Sequence, residues 1–476
     1  MWNAALLVAL QSFSFGYVFS CLNACLVTGD NNSGSDCYND SDSTCPDGTM
    51  YNDVNLTTIE ASLATSLTIL GAWIGSLLGS APSQQYGKRL TLLFNSLFFI
   101  VGAILSSTGN FYALFIGRFI SGLGVGVSSG VPSVLLSEIA TNETRGSITT
   151  LHQLGITVGI FVASLVGYGF VTYVNHGWQY IQGFGCIPSI IMLLCAQWVP
   201  ESPKWLLIQS RNNIKGDTMN SLHNLGGGET GDGSLSDNSA ISVILADAKT
   251  EAINQVDGAE VTWAEVFAYR KGTIVGVGLM FFQAITGINS VIFYSSTIFG
   301  LAGFSQAIIG TSCVSAINVG MTLIISYLID TTGRKFLLLL GTYLMLASLL
   351  VLSIVLISPI AETTQGIIAV LAVLSFVAGF ALGLGAVVWT VMSEIMPTRL
   401  RTKAVSLFLS VNWGCNLIVG LLTLVAIDGL GDVKSSMDDD EVAKAEKKGV
   451  AYLYFIFAFL TVVTLVFIHT VVPETK

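Results

Sequence analysis

Ser137-Glu138-Ile139, five further residues and then Arg145 make a phrase that the chain writes again as Ser393-Glu394-Ile395, five residues and Arg401. Each copy closes a long apolar, glycine-rich stretch. Each also follows a short basic turn, Gly87-Lys88-Arg89 in the first half and Gly333-Arg334-Lys335 in the second. A repeat half the chain long, made of hydrophobic segments with charges at their ends, predicts two homologous membrane bundles around a shared pathway.

Composition agrees. The 476 residues are 52% hydrophobic and 11% charged, with a mean hydropathy of +0.71, far more apolar than an ordinary soluble globule. Runs of about 20 apolar residues, enough to cross a hydrocarbon layer of roughly 30 Å, recur throughout. Twelve are read, near 4–27, 58–80, 91–108, 112–137, 148–170, 178–199, 272–299, 306–328, 336–358, 366–393, 403–427 and 449–471. Backbone polar groups in lipid need partners within their own segment, so each run is a helix. The predicted fold is an all-α membrane protein of twelve transmembrane helices in two pseudo-symmetric six-helix bundles. The 49 glycines fit, because small residues let membrane helices approach closely.

The cations set the orientation. From Lys88 through Lys403, and again at Lys476, Lys and Arg outside the spans fall on one side of a twelve-helix path, Arg118 alone lying within a span. The other side has none before Lys434, Lys444, Lys447 and Lys448 in the last loop. The basic side is therefore read as cytoplasmic, with both termini there. Residues 205–268 are polar and glycine-rich, and divide the chain into a bundle over 1–204, a partly helical cytoplasmic linker over 205–268 and a bundle over 269–476. The net charge of −10 comes mostly from outward loops and reads as an acidic outer surface, saying little about nucleic acid; no nucleic-acid partner is expected. The outer loop over 28–57 carries Asn-x-Ser/Thr acceptors at Asn31, Asn39 and Asn55, where glycosylation is expected. Cys37 and Cys45 share that loop, and either bridge in an oxidising compartment or stay as two thiols.

Other chemistries find no footing. The linker has no phosphate-cradling Gly-x-x-x-x-Gly-Lys-Ser/Thr, and the spans have no metal-ligand cluster and no Ser-His-Asp grouping. No enzyme activity, cofactor or metal is expected. His152, a lone histidine in a channel-facing segment, reads as a hydrogen-bonded structural group.

The strings in sequence resemble the sugar porter family of the major facilitator superfamily, and most of all the eukaryotic facilitative hexose (glucose) transporters. They are Gly87-Lys88-Arg89, Gly117-Arg118, Glu138 to Arg145-Gly146, His152-Gln153-Leu154-Gly155 and Pro200-Glu201-Ser202-Pro203-Lys204-Trp205. In the second half they are Gln283 to Gly287-Ile288-Asn289, Asp330 to Gly333-Arg334-Lys335, Trp389 to Glu394, Asn412-Trp413 and Pro473-Glu474-Thr475-Lys476. Each is weak alone; their order, spacing and sidedness make the combination specific.

The resemblance implies passive transport of a hexose by alternating access in a monomer embedded in lipid, at the plasma membrane. Its sugar-contacting positions fall on Gln153, Gln283, Asn289, Asn318, Trp389, Asn412 and Asn416. Neutral amides suit an uncharged polyol because they both donate and accept hydrogen bonds, and an aromatic plane covers the apolar sugar face. For each amide the plainer alternative is a helix–helix hydrogen bond. Tyr294 resembles an outer gating aromatic, the alternative being an interfacial tyrosine. Arg89, Glu138, Arg145 and Glu201 in one half, and Asp330, Arg334, Glu394 and Arg401 in the other, are expected to form ion pairs that hold the inner side shut. Anchoring helix ends at the headgroups is the alternative.

Several positions depart from the family pattern. Ala284 stands where a second glutamine is expected, the approach to Trp389 over 383–388 has no proline, Ala381 replaces an acid, and Gln84 replaces an Asp in the first basic turn. Phe15-Gly16-Tyr17 is followed by Val18, where proton-coupled relatives carry Asp near the helix-four arginine. Passive uniport is therefore expected ahead of proton-coupled sugar or polyol symport. A sugar sensor on the same scaffold would carry a long cytoplasmic tail, and this chain ends at Lys476.

Overall fold

The apolar runs are helices. The computed structural model describes residues 2–25, 50–54, 58–141, 144–206, 209, 261–291, 307–432 and 439–475. Twelve segments run in order. The first six are α1 (Trp2–Cys25), α2 (Thr58–Leu78), α3 (Lys88–Ser106), α4 (Phe111–Ile139), α5 (Arg145–Tyr173) and α6, in two pieces (Gly177–Phe184 and Ile187–Leu194). The second six are α7 (Arg270–Ile285, resuming over 288–291), α8 (Ala307–Leu328), α9 (Arg334–Ile357), α10 (Glu362–Ile395 as a whole), α11 (Thr398–Gly431) and α12 (Asp439–Thr470). Asn31, Asn39, Asn55, Cys37, Cys45, Tyr294 and the helix-like stretch over 240–256 lie outside the described residues.

The breaks have local causes. Pro188 near the start of the second piece of α6 has no N–H to continue the ladder of the first. In α7, Gly287 takes φ +89°, which interrupts the helix just before Asn289. A Cβ at Gly287 would run into the Phe457 ring. The proline-free approach to Trp389 is not regular either. Ala381–Gly385 forms a π turn between the pieces Glu362–Phe380 and Val387–Ile395 of α10. α11 and α12 are longer than their apolar runs, at 34 and 32 residues. At 1.5 Å per residue they span roughly 50 Å, well beyond the ~30 Å hydrocarbon layer. The charged residues at the start of α12 thus lie in helix rather than in a loop.

Pairings in the first six helices recur in the second. α1 packs on α5 as α7 does on α11, α3 on α4 as α9 does on α10, and α3 on α6 as α9 does on α12. Glycine permits the closest of these. A Cβ at Gly126 of α4 would strike the backbone of α2, and one at Gly379 of α10 the backbone of α9. The halves meet along two seams, α5 with α8 and α2 with α11. Ser164 of α5 lies 3.4 Å from Ser315 of α8. Trp73 Nε1 of α2 donates to Ser410 Oγ of α11 at 3.0 Å, and Ser406 Oγ of α11 donates to the Ser76 carbonyl at 2.6 Å.

Before α7, a short helix, Trp263–Ala268, opens with a capping box between Thr262 and Glu265. It docks on the start of α11. Glu265 pairs with Arg399 at 3.0 Å, and Lys403 donates to the Val261 carbonyl while lying over the Trp263 ring. Hydrogen bonds from Thr262 hold the Glu265 carboxyl below the usual carboxylate range. At the opposite face, Asp53 accepts from Trp178 Nε1 and pairs with His176, each at 2.6 Å. That contact ties the short helix Met50–Val54 to the α5–α6 turn.

Candidate functional site

Four of the amides join in one directed run. Asn289 Nδ2 donates to Asn416 Oδ1 at 2.6 Å, and Asn416 Nδ2 to Asn412 Oδ1 at 2.9 Å. Asn412 Nδ2 donates to Gln283 Oε1 at 3.1 Å and to the Met280 carbonyl at 2.9 Å. Gln283 Nε2 ends the run on the Leu384 carbonyl of α10 at 2.7 Å. The Gly287 break turns Asn289 toward Asn416, and a spacing of four stacks Asn412 and Asn416 on one face of α11. Gln283, Asn412 and Asn416 are buried, and Asn289 is half-buried.

A second group crosses between the halves. Trp389 Nε1 of α10 donates to Gln153 Oε1 of α5 at 2.8 Å. The indole meets the His152 ring edge to face at 4.7 Å, and His152 Nδ1 lies 2.7 Å from Ser12 Oγ of α1. His152 is thus the structural group the sequence indicated, but it supports an aromatic of the candidate site. Asn318 is buried on α8 and is not joined to the run. Trp413 packs on Phe15 and Phe19 and donates to Ser129 Oγ at 3.3 Å, a contact between the halves rather than a member of the amide run.

Among the described residues, the amides of this run bond to one another and to backbone. A small cleft nearer the basic face is lined by Ser76, Ser83, Lys88, Val131, Thr402 and Ser406, with none of the amides on its wall. An entering polyol would exchange amide–amide bonds for amide–hydroxyl bonds. Neutral hydrogen bonds are worth about 0.5–1.5 kcal/mol net, so such an exchange is nearly balanced and reversible.

The charged repeat is a pair of matching constellations. Lys88 Nζ meets Glu138 at 2.8 Å and Arg334 Nη2 meets Glu394 at 3.1 Å. Ser202 Oγ donates to Glu138 at 2.7 Å, and Thr475 Oγ1 to Glu394 at 2.5 Å. Glu201 accepts the backbone N–H groups of Lys88 and Arg89, as Glu474 accepts those of Arg334 and Lys335. Each acid caps a helix whose N-terminal amides favour an anion.

The expected ion pairs differ in detail. Lys88 faces Glu138, and among the described residues Glu201 binds backbone N–H groups and no side-chain cation. Two repeats in the sequence point to both, since Lys88 follows Gly87 as Arg334 follows Gly333, and Pro200-Glu201-Ser202 returns near the end of the second half as Pro473-Glu474-Thr475. Arg145 starts α5, and its side chain is outside the description. Arg401 acts electrostatically on Glu138 across the halves and donates to the Met396 carbonyl at 3.4 Å.

Asp330 makes the other crossing. Its Oδ2 accepts the Ser147 N–H at 2.9 Å and the Ser147 hydroxyl, at the start of α5. Its Oδ1 lies 3.9 Å from Arg334. A Cβ at Gly146 would collide with that carboxylate, which explains the glycine after Arg145.

Within α4, Arg118 is buried without a carboxylate partner among the described residues. Its Nη1 donates to the Val18 carbonyl at 3.0 Å and to Cys21 Sγ at 3.4 Å.

Comparison with known proteins gives this geometry a family. The family model described as "Sugar (and other) transporter" matches residues 4–476. The glucose transporter GlcP of Staphylococcus epidermidis is 33% identical over 433 residues, 90% of this chain and 88% of that protein. The arabinose-proton symporter of Bacillus subtilis is 28% identical over 425 residues, 87% and 84% of the two chains. Among solved structures, the proton:xylose symporter XylE of E. coli bound to 6-bromo-6-deoxy-D-glucose aligns with a TM-score of 0.76 at 23% identity, covering 100% of this chain and 96% of that one. The chain is thus a multi-pass membrane protein and not an enzyme, and it belongs to the sugar porter family of the major facilitator superfamily.

Proposed function

We propose that this sugar transporter carries a neutral hexose, D-glucose first among them, by alternating access as a passive uniporter. Gln153, Gln283, Asn289, Asn318, Trp389, Asn412 and Asn416 are the sugar contacts in this reading. The observation that carries it is the directed amide run from Asn289 to Gln283, uncharged throughout and bonded by interactions that a ring of hydroxyls replaces one for one. Glucose is favoured by the resemblance to hexose facilitators and by the likeness to GlcP.

Uniport rests on Arg118. A symporter needs a group that changes protonation during the cycle. The position beside the buried guanidinium is Val18, and the described carboxylates lie at helix ends. Likeness to an arabinose-proton symporter keeps proton-coupled sugar or polyol transport as the competing reading. The halves, 1–204 and 269–476, rock about the site with the linker between them, the basic face and both termini lie in the cytoplasm of a plasma-membrane monomer, and the charged constellations close the inner side.

The test is uptake of labelled D-glucose in hexose-transporter-deficient cells, with and without a protonophore and against a panel of unlabelled sugars. Equilibration without accumulation, unaffected by the protonophore, is expected. Accumulation that collapses with the protonophore would overturn uniport, and absence of sugar uptake from well-expressed protein would overturn the substrate class.

A further inference from the structure

The amide run ends on the irregular part of α10. Leu384, whose carbonyl takes the Gln283 amide at 2.7 Å, sits inside the π turn Ala381–Gly385. A π turn widens the helix by one residue relative to the α ladder and is concentrated where helices do work. The pieces on either side have different attachments. Above the turn, α10 is held closely on α9, where Gly379 faces Gly341. Below it, Trp389 bonds to Gln153, Thr390 Oγ1 lies 3.1 Å from Thr149 Oγ1, and Glu394 pairs with Arg334. Trp389 and Thr390 thus join the lower piece to α5 of the other half, and the turn between the two pieces is the place where α10 bends.

The carbonyl also sets the direction of the whole run. A backbone carbonyl only accepts, so Gln283 must aim its nitrogen at Leu384 and its oxygen at Asn412. Asn412 must then present its nitrogen to Gln283, Asn416 its nitrogen to Asn412, and Asn289 its nitrogen to Asn416. Gln283 is the one amide bonded both to this run and to the turn.

We infer that Gln283 is a positioning residue for the bend in α10. Its N–H to Leu384 holds the turn in place while the amides bond to one another, and a sugar inserted among them draws Gln283 away and frees the lower piece. Part of this rests on the proposed sugar contacts, but the hold on the turn does not. Glycine supplies in this chain what a proline-bearing approach to Trp389 would otherwise supply.

The test reads the bend without transport. A cysteine replacing Val391, buried on the lower piece of α10, is labelled by a membrane-impermeant maleimide from the basic face of inside-out vesicles, with the protein lacking that cysteine as blank. Gln283→Met keeps the length of the side chain but removes both N–H donors. It is expected to raise labelling without sugar by about fivefold to tenfold, the worth of one hydrogen bond. Gly385→Ala approaches from the other side, because its Cβ would sit 3.0 Å from the Phe380 carbonyl, so the turn must give by a few tenths of an ångström. It should raise labelling with Gln283 intact, which keeps the idea testable if Gln283→Met does not fold. D-glucose should raise labelling in the parent and add little in Gln283→Met.

Unchanged sugar-free labelling in a folded Gln283→Met or Gly385→Ala overturns the hold on the turn. Raised sugar-free labelling in those variants with no effect of glucose on the parent supports the hold, and overturns the coupling to sugar along with the proposed substrate.

Discussion

Removing the Asp330 carboxylate should open the basic face in proportion to what it binds there. The carboxylate takes two hydrogen bonds from Ser147, one from the backbone N–H at 2.9 Å and one from the hydroxyl, at a helix N-terminus of the opposite half. Charge-assisted bonds are worth about 1.5–3 kcal/mol when buried, and the helix end adds about 0.3–1 kcal/mol. Asp330 is only partly buried, at 23% side-chain exposure, and these contributions do not sum. A net of about 2 kcal/mol is reasonable, equivalent to about 30-fold in the ratio of open to closed protein. Asp330→Ala should lose nearly all of it. Asp330→Asn keeps an oxygen and should lose about 1 kcal/mol, and Ser147→Ala, which keeps the backbone N–H, a similar or smaller amount. Arg334 retains Glu394 at 3.1 Å and the Ile329 carbonyl at 2.7 Å, so the network inside its own half should survive. The assay is impermeant-maleimide labelling, from the basic face and without sugar, of a cysteine replacing Ile148, which is fully buried two residues into the crossing. Labelling should rise in the order parent, Ser147→Ala, Asp330→Asn, Asp330→Ala. Equal labelling in parent and Asp330→Ala would refute the reasoning.

Lys88→Met should cost about 3–5 kcal/mol by leaving Glu138 buried and unpaired, and should abolish folded protein by detergent melting, while Lys88→Arg retains it. Glu201→Ala and Glu474→Ala each uncap a helix and should lower stability by about 1 kcal/mol; equal melting of parent and both variants would contradict the capping role. Val18→Asp places a carboxylate near Arg118, whose Nη1 lies 3.0 Å from the Val18 carbonyl, and should make glucose uptake dependent on external pH. Uptake that stays flat with pH in that variant would show that Arg118 is not the group that matters.

The spans, the repeat and the basic face were legible because they depend on composition and sidedness, which lipid enforces strongly. The charge partners were legible as types but not as individuals. Lys88 and Arg89 are adjacent, and which one turns inward depends on the phase with which α3 leaves Gly87. The full lengths of α11 and α12 were hidden because their ends are charged and need no lipid to be helical. The π turn was hidden because Gly-Leu-Gly carries no proline to announce a break; what stabilises it comes from Gln283, about 100 residues away in sequence. The amides were recognisable by kind, but their bonding to one another is a property of packing.

The frame is symmetric and the candidate site is not. Both halves repeat the basic turn, the capping glutamate and the hydroxyl on the helix-end acid, yet three of the helices that carry amides, α7, α8 and α11, belong to the second half, and α5 alone supplies Gln153 from the first. The seams differ in the same sense. Asp330 crosses from the second half to the start of α5, whereas Gln84 stands at the matching place in the first half, and the contacts between α2 and α11 described above are neutral bonds of Trp73, Ser76, Ser406 and Ser410. Ionic strength should therefore act mainly on the α5–α8 seam, since salt screens partly exposed charge and leaves neutral hydrogen bonds nearly untouched. A site held mostly by one half, with the other contributing one amide and closing on it through Trp389, needs a mobile element on the loaded side. The bend in α10 lies there, between the amide run and the only aromatic bonded to Gln153 among the described residues.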